Sequence, residues 1–221
     1  VLSLVDAVAC EDTRTTAQLL TRYGLHKQLL AAHMHNEHEA AEKIIARLQA
    51  GERIALVSDA GTPGVSDPGA IIVDAVRKAG FRISPLPGAS AAISALSASG
   101  LVNDHFYFHG FLPSKSGQRD TALQSLKSLT ATLVFYEAPH RIIKTLNDMA
   151  DFFGHQHEIV VARELTKTFE SIYRGEISKV KEIIESDSNF QKGEFVILVS
   201  PLHHEKKELL TEDQHRILKI L

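Results

Sequence analysis

A short apolar run that ends in a glycine-rich loop constrains the fold of this chain more than any other feature. Residues 54–57 are apolar and rich in β-branched side chains, and the run stops abruptly at Ser58 and Asp59. Buried parallel strands have this pattern because both of their faces are covered. In an open α/β sheet, ligands bind beyond the carboxyl ends of the strands. The loop over residues 58–69 is therefore predicted to lie where a small molecule binds.

This central loop is suited to a ligand with hydroxyl or ammonium groups. Its glycines let the backbone approach a ligand closely, and Asp59 offers a carboxylate acceptor at the strand tip. It matches neither the phosphate-loop motif nor the dinucleotide fingerprint. The alternative is a glycine-rich turn that binds nothing. Asp67 is predicted to be the N-cap of the next helix, with Pro68 as its first residue.

Short strands alternate with helices along the whole chain, which predicts an α/β fold. Besides 54–57, strands are predicted at 7–10, 28–32, 82–86, 105–111, 131–137, 158–165 and 194–199. The polar turn at 11–16 either contacts a substrate through Arg14 or caps the next helix through Asp12 or Thr13. A second glycine turn, at 87–92, opens a helix of small residues that either admits a ligand or packs tightly.

The second half of the chain contains a basic segment. Residues 112–119 follow an aromatic-rich strand and carry Lys115 and Arg119, and they are predicted to form a flexible loop. Such a loop is either a solvated connection or a surface that follows a phosphate backbone.

The composition is that of an ordinary globular protein with one or two domains: 221 residues, 44% hydrophobic and 23% charged. The net charge of -3 gives no general attraction to nucleic acid, so a polyanionic partner would need a local basic patch. One cysteine, Cys10, fits a reducing cytoplasm, and no apolar run is long enough to span a bilayer. His33, His35 and His38 lie close together without another ligand at a known spacing, so no metal site is expected.

Several short motifs occur in a specific order along the chain. They are Glu11-Asp12-Thr13-Arg14, Ser58-Asp59-Ala60-Gly61-Thr62-Pro63, Ser66-Asp67-Pro68-Gly69, Pro85-Leu86-Pro87-Gly88, Gly110-Phe111-Leu112-Pro113, Phe135-Tyr136-Glu137, Arg163-Glu164-Leu165-Thr166-Lys167 and Gly193-Glu194-Phe195. This series resembles the ribosomal RNA methyltransferases of the tetrapyrrole methylase superfamily, from the first residue to about residue 200.

The resemblance implies a two-domain α/β methyltransferase, usually a homodimer, that binds S-adenosylmethionine in the cleft between its domains. The domains are expected at 1–103 and 104–202, and 203–221 is expected to start a helical extension. The family also has a first strand and a proline-containing turn, which we expect before Val1 because this sequence lacks them.

Members that resemble this sequence methylate the ribose 2'-hydroxyl of a cytidine in small-subunit (16S) ribosomal RNA. The expected partner is that RNA or the assembled 30S subunit, and the expected location is the cytoplasm. One alternative is a methylase that acts on a tetrapyrrole or another small molecule, which shares the fold and the cofactor. Another is an RNA-binding or assembly protein with a degenerate cofactor site, against which Asp59, Gly61 and Gly88 argue.

The resemblance also implies the site residues, position by position. Cofactor contacts are expected from four segments, namely Asp59, Ala60, Gly61 and Thr62, then Ser90 and Ala91, then Tyr136 and Glu137, and finally Ala162 and Arg163. A base or a cation would assist attack by a ribose hydroxyl, which is a poor nucleophile. Four charged residues in strand-end loops are therefore expected on the substrate side: Glu11, Arg14, Glu164 and Lys167.

Overall fold

The computed structural model describes residues 1–202. The chain divides into two compact units, Val1–Ser97 and Ala98–Leu221. The boundary predicted after residue 103 lies a short way into the second unit, and the helical extension predicted for 203–221 lies outside the described residues. No helix among residues 1–202 is long and apolar enough to cross a membrane.

The first unit contains a three-stranded parallel sheet. Its elements are β1 (Ala7–Cys10), α1 (Thr13–Arg22), β2 (Gln28–Ala31), α2 (Glu37–Gln49), β3 (Ile54–Val57) and α3 (Ala70–Lys78), and α4 (Ala91–Ser99) begins in the same unit. The strand order is β2-β1-β3, and Ala7 is in register with Gln28 and Ile54. The carboxyl ends of the three strands therefore meet at one edge, as the sequence predicted for 7–10 and 54–57.

Helices α2 and α3 cover one face of this sheet. Ala9 in the fully buried central strand packs in a cluster with Ile44 of α2 and with Ile72 and Val76 of α3. Burial of each large aliphatic side chain contributes about 2 kcal/mol, so these contacts stabilise the layered arrangement. The strand ends are thereby fixed, and the loops that follow them have a rigid support.

The strand prediction for 82–86 is wrong, because this segment has no regular secondary structure and pairs with no strand of the described residues. Pro85 and Pro87 lack the backbone N–H that a sheet ladder needs. Phe81 and Ile83 instead pack against the cluster beneath α3. These two partly buried side chains anchor an irregular segment in which Arg82, Ser84, Pro85 and Leu86 are exposed.

The predicted start of α3 is also wrong. The helix begins at Ala70 with Gly69 as its N-cap, rather than at Pro68 after Asp67. The cap is the carboxylate of Glu37 at the start of α2, whose Oε2 accepts hydrogen bonds from the backbone N–H of Gly69 at 2.9 Å and of Ile71 at 3.2 Å. This carboxylate is remote in sequence, so a local capping pattern could not reveal it.

Gly69 is required at this cap for two reasons. Its φ of 134° is unfavourable for other residues, and an added Cβ would lie 3.1 Å from Leu56 Cδ2 and 3.2 Å from the Gly64 nitrogen. The central loop therefore returns tightly against β3 before α3 begins.

The second unit contains a five-stranded mixed sheet. Its elements are β4 (Phe106–Phe111), α5 (Ser116–Leu126), β5 (Thr132–Glu137), a 3-10 turn (Pro139–Arg141), α6 (Ile142–Phe153), β6 (Glu158–Arg163), β7 (Ser171–Glu176), α7 (Ile177–Ser186) and β8 (Phe195–Val199). The strand order is β4-β5-β8-β6-β7, with β4 and β5 parallel and the other pairs antiparallel. Strand β7 was not predicted, because it is an edge strand in which polar residues and Gly175 dilute the β pattern.

The helices α5, α6 and α7 contribute to one large core with this sheet. Phe135 and Ile197 pack in the same cluster as Leu123 of α5, Leu146 of α6 and Ile184 of α7, and all five are fully buried. This cluster explains the periodic apolar residues of the second half.

The flexible loop predicted at 112–119 is wrong from Ser116 onward, where α5 begins. Arg119 is 1% exposed, forms an ion pair with Asp148 of α6, and donates hydrogen bonds to the carbonyls of Pro113 (2.9 Å) and Ser114 (3.2 Å). A buried guanidinium with these partners cannot lie on an RNA phosphate. Arg119 is therefore not part of the basic surface that was predicted for 112–119. Lys115 is exposed and keeps its positive charge at the surface.

The Glu37 cap leads to a stability prediction. Glu37→Ala leaves two N–H groups at the start of α3 without their acceptor, so we expect the free energy of unfolding to fall by about 2 kcal/mol. Urea unfolding measures this change, with the exposed Glu42→Ala on the same helix as the matched control. Equal unfolding midpoints for the two variants would contradict the role given to Glu37.

Candidate functional site

The loops after β1 and β3 lie next to each other in the first unit. The backbone N–H of Asp59 donates to Glu11 Oε2 at 3.5 Å, and Thr62 Oγ1 donates to the carbonyl of Ala89 at 3.2 Å. The second bond ties the central loop to the segment just before Ser90 and Ala91. The residues predicted in the first unit therefore share one edge of the sheet.

The central loop presents an exposed carboxylate and accessible backbone. Asp59, Ala60 and Gly61 are exposed, and Asp59 forms no ion pair with any residue of the described part of the chain. An added Cβ on Gly61 would meet nothing closer than 3.9 Å, the Oδ2 atom of Asp67. Burial raises the pKa of Asp67, and the negative charges of Glu11 and Asp59 raise it further. This edge therefore carries negative charge that favours a hydroxyl-rich or cationic ligand.

Asp12 and Arg14 form a compact pair in the turn after β1. Asp12 caps α1 by accepting from the backbone N–H of Arg14 at 2.8 Å, and it also pairs with the Arg14 guanidinium at 2.6 Å. These contacts lower the pKa of Asp12 to about 2. The capping interpretation of the turn is confirmed for Asp12. The Arg14 side chain is 86% exposed, so it also retains N–H groups that a ligand can reach.

Glu137 is committed to the interior of the second unit. Its carboxylate accepts from Thr145 Oγ1 at 2.6 Å and from the backbone N–H of Ala138 at 2.8 Å, and it pairs with Arg141 at 3.1 Å. Arg141 in turn donates to the carbonyl of Leu112. The network connects the end of β5 to α6 and to the turn after β4, so the Glu137 side chain serves the fold.

Arg163 is buried at the end of β6, where its guanidinium holds two loops. It donates to the carbonyls of Lys192 (2.7 Å), Asn189 (2.8 Å) and Phe169 (3.0 Å). These bonds fasten the loop after β6 to the loop before β8. Arg163, which was predicted to contact a cofactor, therefore has a side chain that holds these two loops together.

Tyr136 and Ala162, the other predicted cofactor positions in this unit, lie on a common row of the sheet. Both are in register with Val196 of β8, which separates them. Tyr136 also makes edge contacts with the rings of Phe108 and Phe111, at centroid distances of 4.9 and 5.7 Å. The structure thus brings these two positions to the same face of the sheet.

Glu164 and Lys167 form a charged group in the loop after β6. Lys167 Nζ lies 2.9 Å from both Glu164 Oε1 and Glu194 Oε2. The Lys167 contact lowers the pKa of Glu164, and the two carboxylates raise the pKa of Lys167. Glu194 was not predicted as a site residue, although it lies in the motif Gly193-Glu194-Phe195. The ion pair depends on a contact between distant loops, which spacing along the chain does not reveal.

The fold defines a class of protein: an α/β protein with candidate ligand-binding loops at the carboxyl ends of its strands. The sequence model of the family Tetrapyrrole (Corrin/Porphyrin) Methylases matches residues 1–181. The chain belongs to this family, which makes it a methyltransferase.

Several curated relatives match over the whole chain. A protein named Ribosomal RNA small subunit methyltransferase I from Xylella fastidiosa is 48% identical, and the match covers 100% of this chain and 81% of the relative. The protein of the same name from Escherichia coli O157:H7 is 46% identical and is covered over 77% of its length. The family predicted from the ordered motifs is confirmed.

Solved structures show that the fold is shared more widely. The crystal structure of diphthine synthase matches with a TM-score of 0.68 and 19% identity, covering 91% of this chain and 82% of that one. The structure of uroporphyrin-III-C-methyltransferase from Thermus thermophilus matches with a TM-score of 0.60 and 18% identity, covering 91% and 84%. These similarities establish the two-domain tetrapyrrole methylase fold.

The Glu137 network yields a prediction that separates structure from ligand binding. Glu137→Ala leaves Arg141 and Thr145 without their buried acceptor, so we expect a loss of about 3 kcal/mol in the free energy of unfolding. Glu137→Gln keeps an acceptor and should lose less. The exposed Glu182→Ala is the control. If Glu137→Ala unfolds at the same urea concentration as the control, the network has no stabilising role.

Proposed function

We propose that this protein transfers a methyl group from S-adenosylmethionine to the 2'-hydroxyl of a cytidine ribose in small-subunit ribosomal RNA. The observation that carries the proposal is the identity of 46–48% over the full chain with relatives named for ribosomal RNA small subunit methylation. At such similarity the relatives are a stronger guide to the substrate than the fold, which also serves other acceptors.

The central loop fits the cofactor's chemistry. S-adenosylmethionine carries ribose hydroxyls, an ammonium group and a sulfonium cation, and when bound it supplies an electrophilic methyl group. The exposed Asp59 carboxylate can accept a hydrogen bond from a hydroxyl or ammonium group, and the open backbone at Gly61 allows close approach. Asp59, Ala60, Gly61 and Thr62, with Ser90 and Ala91 beside them, are the proposed cofactor residues of the first unit.

The proposed cofactor positions of the second unit differ in their surroundings. Tyr136 offers a partly exposed ring, whereas the small side chain of Ala162 on the same face of the sheet is buried. Glu137 and Arg163 have buried side chains engaged with protein groups, so their part is to shape the adjoining turns. Any direct cofactor contact from these two residues would come from their backbone.

Lys167 suits the role of a cation at the acceptor hydroxyl. Its side chain is 47% exposed, and its raised pKa keeps the ammonium protonated at neutral pH. A protonated ammonium cannot remove the hydroxyl proton, but it can stabilise the negative charge that develops on the ribose oxygen as its proton passes to water. Glu164, whose pKa is lowered, is a weak base and is better suited to holding Lys167. Glu11 and Arg14 remain proposed substrate contacts in the first unit.

An acceptor comparison tests the proposed function. Purified protein is incubated with labelled S-adenosylmethionine and either small ribosomal subunits that lack the modification or a porphyrinoid acceptor. We expect label in the ribosomal RNA alone. Label in the porphyrinoid would support a small-molecule methylase, and cofactor binding without transfer to either acceptor would contradict the proposal.

Asp59→Ala should weaken cofactor binding while leaving the fold intact. The carboxylate is exposed and makes no ion pair within residues 1–202, so its loss costs little stability. Without this acceptor we expect the affinity for S-adenosylmethionine to fall at least tenfold, since a hydrogen bond to a charged group contributes about 1.5–3 kcal/mol. Calorimetric titration measures the affinity, with Asp74→Ala on α3 as the control. An unchanged affinity would show that Asp59 does not contact the cofactor.

A further inference from the structure

We infer that Glu194 is a positioning residue for methyl transfer, because with Glu164 it holds the Lys167 ammonium in one place. The inference rests on the proposed function and deepens it by adding a residue from a different loop. Glu194 lies just before β8, whereas Glu164 and Lys167 follow β6. The position of the cation therefore depends on a contact between two segments that are far apart in sequence.

The geometry around Lys167 is symmetric. Its Nζ atom lies 2.9 Å from one oxygen of each carboxylate, so both bonds have the length of a charge-assisted hydrogen bond. The two loops are also joined through their backbones. The N–H of Glu164 donates to the carbonyl of Glu194, and the N–H of Glu194 donates to Glu164 Oε1, each at 2.9 Å. A lysine side chain that is bonded to two fixed carboxylates has less rotational freedom than one that is bonded to a single carboxylate.

Gly193 makes room for this arrangement. An added Cβ at this position would overlap the Cγ and Cδ atoms of Glu164, so the glutamate side chain lies directly over the glycine backbone. Glu164 itself has a φ of 50°, a left-handed conformation that costs about 1 kcal/mol in a residue other than glycine. Such strain persists only where surrounding contacts over-determine the backbone.

Contacts around the loop after β6 keep the strained backbone of Glu164 in place. Arg163 fastens both loops from the interior through its bonds to three carbonyls. Thr166, with a φ of 66°, donates its backbone N–H to Glu170 Oε2 at 2.6 Å, which closes the loop after β6 on itself. The loop thus presents Lys167 from a braced backbone, and the carboxylates of Glu164 and Glu194 decide where the ammonium points.

Stabilisation of the fold is a weak explanation for the ion pair between Glu194 and Lys167. Its side chain is 77% exposed, and an exposed ion pair contributes little to stability, typically below about 1 kcal/mol. The same contact can matter much more for catalysis, because displacement of a reacting group by about 1 Å can slow a reaction 100-fold. The charged groups that face Lys167 are Glu164 and Glu194, with Arg163 behind Glu164.

The test is Glu194→Gln in the full chain, with the exposed Glu182→Gln as the matched control. We expect kcat for methyl transfer to ribosomal subunits to fall about tenfold. The affinity for S-adenosylmethionine should not change. A second measurement follows the amine directly, by trace labelling of Lys167 with acetic anhydride and mass spectrometry. Loss of one carboxylate lowers the pKa of Lys167, so more free amine is present and labelling should be several times faster.

Double substitution makes the assignment specific. If Glu194 acts through Lys167, Glu194→Gln should have no further effect on kcat in a Lys167→Met background. If the wild-type enzyme is active and Glu194→Gln changes neither kcat nor the labelling of Lys167, the inference is overturned and the proposed function stands. Fully additive effects of the two substitutions would also overturn it. A wild-type protein that binds the cofactor but methylates no ribosomal RNA would overturn the proposed function, and the inference with it.

Discussion

Carboxylates that accept backbone N–H groups hold the loops at the strand ends in both units. Glu37 binds the first turn of α3 and closes the central loop, and Glu137 binds the turn after β5. A buried charge without partners would cost several kcal/mol, so these side chains are stable only while the loops keep their shape. The loops also depend on the carboxylates, because they contain glycines and left-handed residues that would otherwise be free to rearrange.

Burial separates the charged residues into two groups with different tasks. Glu137, Arg163 and Arg119 have buried side chains with several protein partners each, so they determine shape. Asp59 and Lys167 are exposed on loops of defined geometry, so they can meet a ligand. In the proposed function, the first group fixes the geometry and the second group supplies contacts to the cofactor and the acceptor.

The sequence predicted most of the fold because its local signals were strong. The strands at 7–10 and 54–57 and the helix with Leu146 and Met149 follow directly from apolar periodicity, and the structure contains them. The errors arose where tertiary contacts override local pattern. The segment 82–86 contacts the core through Ile83 without being a strand, and the start of α3 depends on a glutamate from another helix.

The candidate site was predictable in outline and less so in detail. Ordered motifs identified the family, and strand-end loops predicted a candidate ligand site. The motifs do not distinguish a side chain that contacts a ligand from one that supports the loop. Glu137 and Arg119 have the residue types of functional groups, yet only their burial and partners reveal a structural role. Glu194 was missed for the converse reason, since its partner Lys167 comes from another loop.

The most direct test of the account is the identity of the product. Small-subunit ribosomal RNA that lacks the modification is incubated with the protein and S-adenosylmethionine, digested to nucleosides and analysed by mass spectrometry. The account predicts a single new nucleoside, cytidine methylated on its ribose 2'-oxygen. A methyl group on a base, or on the ribose of another nucleoside, would contradict it.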